Sequence, residues 1–200
     1  MHLSSYDAMS RFVADHLEPR KGRRLEILDI GSQDVNGSYR PLFDDPAWRY
    51  AGADMVAGKN VDIVLRDVYS WRALKSASFD VVVSGQTLEH VEYPWMTVME
   101  IARVLKPAGI CCLIAPSAGP EHRYPLDCWR WYADGAQALA RYADLDVVEA
   151  YTFHDETDSS GAANVWHDTV LVATKTPSSS GATSLVATAR RVLSRLALPR

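Results

Sequence analysis

Short runs of branched apolar residues recur along the chain, and each ends in polar or small residues. Leu25-Glu26-Ile27-Leu28-Asp29-Ile30 runs into Gly31-Ser32-Gln33, and Arg49-Tyr50-Ala51-Gly52-Ala53 ends at Asp54. Val61-Asp62-Ile63-Val64-Leu65 closes on Arg66-Asp67-Val68, and Ser78-Phe79-Asp80-Val81-Val82-Val83-Ser84 leads into Gly85-Gln86-Thr87-Leu88-Glu89-His90-Val91. A fifth run, Ile110 to Ala115, stops at Pro116-Ser117. Runs this short and apolar predict strands of a sheet covered on both faces. Helical spacing appears from Trp95 to Leu105, halted by Lys106-Pro107-Ala108-Gly109, and again from Ala133 to Tyr142. Residues 4–17 predict an amphipathic helix with Tyr6, Met9, Phe12, Val13 and Leu17 on one face. Leu145 to Tyr151 and Val165 to Lys175 read as two last strands, and residues 117–132 as a polar, aromatic loop. Strands alternating with helical patterns imply parallel βαβ units, so residues 25–116 read as five of them.

Composition narrows the class. A chain of 200 residues fits one domain with a substantial core, placed at residues 1–175. A net charge of −4 and an isoelectric point near 5.8 argue against nonspecific nucleic-acid binding. Cys111, Cys112 and Cys128 have no zinc-like spacing. They read as reduced thiols of a cytoplasmic protein, the first two as small buried apolar residues. No run reaches transmembrane length, and the N-terminus lacks the apolar core of a signal peptide. Thr176 to Ser184 is a Pro/Ser/Gly-rich linker. Beyond it, residues 185–200 carry Arg190, Arg191, Arg195 and Arg200 and no acid, with Leu185, Val186, Val192, Leu193 and Leu196 able to share a face. A loosely ordered tail, a homodimer contact and a membrane-surface helix are the three readings of that segment. Membrane contact ranks low, because one short helix anchors weakly.

The strand ends carry candidate chemistry. Gly31 allows close backbone approach to a ligand at the carboxyl end of the first strand. Asp54 stands 23 residues later, where an acid can accept hydrogen bonds from ribose hydroxyls. In order and spacing, Leu28-Asp29-Ile30-Gly31, Asp54, Asp67-Val68, Phe79-Asp80-Val81-Val82, Leu88-Glu89-His90-Val91 and Arg103-Val104-Leu105-Lys106-Pro107-Ala108-Gly109 resemble the class I S-adenosylmethionine-dependent methyltransferases of the type 11 branch. The resemblance implies a Rossmann-like α/β fold: a seven-stranded, mostly parallel sheet with helices on both faces and an antiparallel last strand. It implies S-adenosyl-L-methionine as cofactor, held by Asp29, Gly31, Ser32, Gln33, Asp54, Met55, Asp67, Val68 and Gln86. Gly31 with Ser32 and Gln33 would take the amino-acid end, Asp54 the ribose, and Asp67 the adenine amine, with Met55 packing on the adenine. One departure stands out. The family's first loop carries two or three alternating glycines, whereas here Ser32-Gln33-Asp34 follow Gly31 and the next glycine is Gly37.

The acceptor side is expected from two segments. Gln86, Thr87, Glu89 and His90 follow the fourth strand, where the methionine end of the cofactor meets the acceptor in the resembled family. Glu121-His122-Arg123-Tyr124-Pro125-Leu126-Asp127-Cys128-Trp129-Arg130 follows the fifth and resembles a stretch found in methyltransferases of bacterial glycan and glycoconjugate clusters. Aromatic faces beside charged hydrogen-bonding groups suit a sugar. Glu121, Arg123, Tyr124, Trp129 and Arg130 are therefore the candidate substrate-binding residues. His122, His90 and Asp127 are the candidate catalytic residues, because an imidazole can take a proton near neutral pH. His154, Asp155, Glu156, His167 and Asp168 could join His122 and Asp127 as metal ligands. No short ligand spacing supports this, and no metal is the preferred reading. The expected activity is O-methylation of a sugar or glycoconjugate. The alternatives are methylation of a quinone, lipid or antibiotic aglycone, or a non-catalytic cofactor-binding subunit.

Overall fold

A computed structural model describes residues 3–153 and 165–177, together with Ala189, Val192, Leu193 and Leu196. Residues 154–156 and most of the linker and tail lie outside the described residues, so the expectations placed on them are not addressed below.

Seven strands form one sheet: β1 (Leu25–Ile30), β2 (Trp48–Asp54), β3 (Ile63–Val64), β4 (Phe79–Gly85), β5 (Leu105–Pro116), β6 (Asp146–Thr152) and β7 (Asp168–Thr174). Their spatial order is β3-β2-β1-β4-β5-β7-β6. The first five pair in parallel, and β7 runs antiparallel between β5 and β6. Helices cover both faces. Helix α1 (Leu3–Phe12) packs Ala8, Met9 and Phe12 with Ile27, Val81, Val83 and Cys112. On the other face, α2 (Pro94–Val104) and α3 (Ala133–Tyr142) bury Met96, Val98, Ile101, Ala136 and Leu139 with Leu28, Val82 and Cys111. Each strand thus sends alternate residues to opposite cores, as the two-residue period requires. Cys111 and Cys112 are buried on the two faces, as expected of small apolar residues. Among the described residues no helix is long and apolar enough to cross a membrane.

The first three crossovers differ from the expected strand–helix alternation. No α-helix lies between β1 and β4. Pro41 and Pro46 interrupt the first connection, which forms only one 3₁₀ turn (Arg40–Leu42) and fills the α1-side core with Tyr39 and Phe43. β3 is two residues long, and just before it Asp62 holds to β2 by its amide, donating to Gly52 O at 2.8 Å, and by its Oδ2, accepting from Gly52 N at 2.8 Å and from Arg40 Nη2 at 2.5 Å. At the other end of the first helix, the amphipathic pattern through Leu17 is met by a π turn over Val13–Leu17.

Polar residues fix α1 to the carboxyl edge of the sheet. Ser4 Oγ donates to Asp168 Oδ2 at 2.6 Å, and Gln86 Nε2 donates to Asp168 Oδ1 at 2.8 Å. Asp168 is fully buried at the start of β7, so these bonds compensate a carboxylate removed from water.

Candidate active site

The carboxyl ends of β1, β2 and β4 meet at Gly31. Gly31 has φ +74, a backbone conformation that disfavours side chains, and a Cβ placed on it would lie 2.0 Å from Thr87 Oγ1. Thr87, just beyond β4, thus closes directly over the turn. The amides of Gly31 and Ser32 both donate to Ala53 O, at 2.9 and 3.2 Å. The next amide, Gln33 N, donates to Asp54 Oδ2 at 3.1 Å, and Val56 N to Asp54 Oδ1 at 3.3 Å. Asp54 therefore ties the first loop to the second and keeps lone pairs for further donors. Ser32 is buried, with its hydroxyl donating to Asn60 O at 3.0 Å. Where the resembled family has glycines, this chain fastens its loop to residues 58–60 with polar side chains.

The other expected cofactor residues lie around this turn. Met55 is 45% exposed beside Asp54. Asp67 is exposed and accepts from Tyr69 N at 2.8 Å, and Val68 O accepts from Trp71 Nε1 at 2.9 Å. Two residues turn inward. Gln86 is drawn towards α1 by its bonds to Asp168 and Ser5. Asp29 is 2% exposed and accepts a short hydrogen bond from the Tyr50 hydroxyl. Burial pushes the Asp29 carboxyl up to about 7, against the opposing pull of the Tyr50 bond and the Arg40 charge. Asp29 supports the loop from beneath.

The residues expected on the acceptor side come together where the loop after β5 folds back on the end of β4. Cys128 N and Trp129 N both donate to Glu89 O, at 2.7 and 3.2 Å, and Trp129 Nε1 donates to Val91 O at 2.8 Å. Trp131 N donates to Pro116 O at 2.8 Å, and Thr169 Oγ1 to Trp131 O at 2.6 Å. These bonds bring together residues 15 to 40 apart in sequence. The His90 and His122 rings stand edge to face with centroids 4.9 Å apart, and His122 lies 4.5 Å from the Trp166 ring.

Asp127 organises the outer part of this cluster. Its side chain is 2% exposed and receives Arg130 Nη1 at 2.6 Å, Arg130 Nη2 at 2.9 Å and His122 N at 2.7 Å. The Arg130 hydrogen bonds hold its carboxyl well below the usual carboxylate range. Asp127 Oδ2 also lies 3.4 Å from His122 Nδ1, the orienting contact the sequence points to. Burial lowers the His90 imidazole from its ordinary value, while His90 Nδ1 lies 2.5 Å from Leu126 O.

Glu89 matters more here than its sequence position indicated. It is fully buried, and neither carboxylate oxygen has a hydrogen-bond partner among the described residues. Burial pushes its carboxyl up to about 8, so it holds a proton at neutral pH. Its Oε1 lies 3.6 Å from His90 Nε2. No sequence signal reveals this burial; only the fold-back of residues 128–129 creates it. Glu121 and Arg123 lie farther out, pairing with each other at 2.6 Å while 64% and 73% exposed. Tyr124 and Trp129 are exposed, and the Trp129 ring lies against Trp95 and Trp131.

Residues 36–113 match the family model described as "Methyltransferase domain". The matched stretch runs from the connection between β1 and β2 into β5 and leaves out β1 and the Gly31 turn. No curated protein matches the chain by sequence. Among solved structures, a 1,6-didemethyltoxoflavin-N1-methyltransferase from Burkholderia thailandensis, with bound 1,6-didemethyltoxoflavin and S-adenosylhomocysteine, is similar at 18% identity and a TM-score of 0.64, over 86% of this chain and 78% of that one. An S-adenosylmethionine-dependent methyltransferase from Archaeoglobus fulgidus is similar at 15% identity and a TM-score of 0.62, over 86% and 95%. The [4+2]-cyclase SpnF is similar at 18% identity and a TM-score of 0.62, over 86% and 81%. At such identities the likeness establishes the fold alone, and SpnF illustrates how widely the chemistry on it ranges. The domain match, seated on this fold, supports an S-adenosylmethionine-dependent methyltransferase whose cofactor is S-adenosylmethionine.

Proposed function

We propose that the protein transfers a methyl group from S-adenosylmethionine to a hydroxyl, on a sugar or glycoconjugate acceptor. The observation that carries this reading is the clustering of His90, His122 and Glu89, with the Trp166 ring against His122, where the loop after β5 meets the turn after β4. Ring faces stack on the C–H faces of a sugar, while the imidazoles offer hydrogen bonds to its hydroxyls; Arg130 spends its Nη donors on Asp127, Trp129 O and Pro120 O and so holds the loop in shape. The cofactor would lie across Gly31–Gln33, Asp54 and Asp67, with its methyl directed at the histidines.

The sulfonium is already an activated leaving group, so the protein's part is positioning and proton removal. The acceptor oxygen attacks the methyl carbon, the C–S bond breaks, and its electron pair stays on sulfur as S-adenosylhomocysteine. The acceptor proton goes to His122, whose ring Asp127 orients; His90 is the neighbouring imidazole. An acceptor of another small-molecule class is the second reading, favoured by the exposed Tyr124 and Trp129 rings and by the molecule held in the Burkholderia relative. The test is a mass-shift screen of protein plus S-adenosylmethionine against a glycan panel and an aglycone panel. A gain of one methyl on a glycan supports the proposal. A gain confined to aglycones, or none without an added protein, overturns it.

A further inference from the structure

The same cluster carries a second consequence. One ligand atom from each of Glu89, His90 and His122 lies within 4.8 Å of the other two. Sequence spacing does not signal this, because His122 comes from the loop after β5 and the other two from the turn after β4. Two imidazoles and one carboxylate are a donor set of divalent-metal sites, which a further ligand completes.

Three observations point to a ligand. Glu89 is fully buried with both carboxylate oxygens unpartnered among the described residues. A buried polar group without a partner is rare and calls for one. Each histidine has its Nδ1 beside an orienting acceptor: Leu126 O at 2.5 Å for His90, and Asp127 Oδ2 at 3.4 Å for His122. That leaves Nε2 of each ring as the coordinating atom, the arrangement of metal-bound histidines with outer-sphere partners. Lastly, Asp127 is itself fixed by two bonds from Arg130, so the orienting carboxylate is held in place.

We propose that Glu89, His90 and His122 bind one divalent first-row transition ion of the zinc type, whose open position takes an oxygen of the acceptor. Metal–ligand bonds of about 2.0–2.2 Å need the three atoms roughly 3.4 Å apart; Glu89 Oε1 and His90 Nε2 already stand at 3.6 Å, and His122, within 4.8 Å of both, closes the set by moving inward. His122 sits on a loop and can supply that movement. The acceptor part of the inference rests on the methyl-transfer reading and gives His122 the role of ligand in place of proton acceptor. The metal site itself rests only on the geometry.

The experiment uses full-length protein stripped with a chelator and dialysed. Zn²⁺ is titrated by calorimetry, and Co²⁺ is added as a visible-absorbing substitute. One Zn²⁺ per chain is expected, with a Co²⁺ d–d band. Both should be lost, or the affinity weakened by about 100-fold or more, in Glu89→Gln, His90→Ala and His122→Ala, with a smaller loss of about 10-fold in Asp127→Asn. A His16→Gln variant, altered at the histidine beside Glu149, should bind as the wild type does. The melting shift given by S-adenosylhomocysteine is read on every variant, as a check on folding and on the cofactor reading. If Glu89→Gln unfolds, His122→Gln on the outer loop carries the test. Absence of a Co²⁺ band, or Zn²⁺ affinity unchanged across the triad variants, overturns the site. Metal binding through the triad without any S-adenosylhomocysteine shift supports the site and overturns the methyl-transfer reading instead.

Discussion

Replacing Asp29 by Asn isolates the energetics of the buried carboxyl beneath the cofactor loop. Asp29 is 2% exposed and its carboxyl is raised from 3.8 to about 7, mainly by burial. A raised carboxyl binds its proton more tightly in the folded chain than in the unfolded one. Its contribution to stability is therefore complete below about pH 4 and is lost as the pH rises through about 7. A difference of about 3 units at roughly 1.4 kcal/mol each gives about 4 kcal/mol as the upper bound of that loss. For a domain of this size it corresponds to about 8–16 °C in melting temperature. Asn keeps an acceptor for the Tyr50 hydroxyl and has no proton to lose. Glu89 is raised for the same reason but is present in both proteins, so it cancels in the difference. Thermal melts of wild type and Asp29→Asn between pH 5 and 8 should therefore diverge, the variant gaining on the wild type as the pH rises. Parallel curves across that range would show that Asp29 is ionised throughout, stabilised by Tyr50 and Arg40 beyond the cost of its burial.

Three further outcomes follow from the site. Asp54→Ala removes the carboxylate that clasps Gln33 N and Val56 N, and should weaken S-adenosylhomocysteine binding by about 1–3 kcal/mol in calorimetry; unchanged affinity removes Asp54 from the cofactor site. Asp127→Ala leaves Arg130 without its carboxylate and should cost about 3 kcal/mol, read as a melting temperature lower by roughly 6–12 °C with S-adenosylhomocysteine affinity retained. His122→Ala should keep cofactor affinity while kcat and kcat/KM fall together by about 10²–10⁴-fold on a productive acceptor. A near-normal kcat in that variant would place acceptor activation elsewhere, with His90 the next residue to replace.

The sheet was legible because its strands are short, apolar and punctuated at their carboxyl ends. β1, β4 and β7 fall within a few residues of their expected places, and the antiparallel pairing of β7 follows from the family resemblance. The missing crossover helices were not legible. The pattern of apolar runs fixes strands but says little about a connection that fills a core with Tyr39 and Phe43 from a non-helical path. At the site, the Gly31 turn and an acid at the end of β2 could be expected from local sequence, whereas the bonds of Asp54 to the Gln33 and Val56 amides could not. The burial of Glu89 and the meeting of His90 with His122 could not, since both depend on backbone bonds from residues 128–129 to Glu89 O. Long-range contacts of that kind leave no periodic trace in the chain.

The way the loop after β5 is fastened divides it into two parts with different evolutionary freedom. Residues 128–131 are sewn to Glu89, Val91, Pro116 and Thr169, so a change there disturbs the carboxyl end of β5, the start of β7 and the turn after β4. The tip, residues 121–126, is closed on itself by Asp127 and by the Arg130 bond to Pro120 O, with Glu121, Arg123 and Tyr124 facing outward. Apart from His122 and the Leu126 carbonyl that meets His90, it behaves as an exchangeable cassette clipped into a fixed frame. On the proposed reading, acceptor preference would drift by replacement of the tip alone. The frame would stay as it is, and a tip transplanted between relatives is expected to carry its selectivity with it.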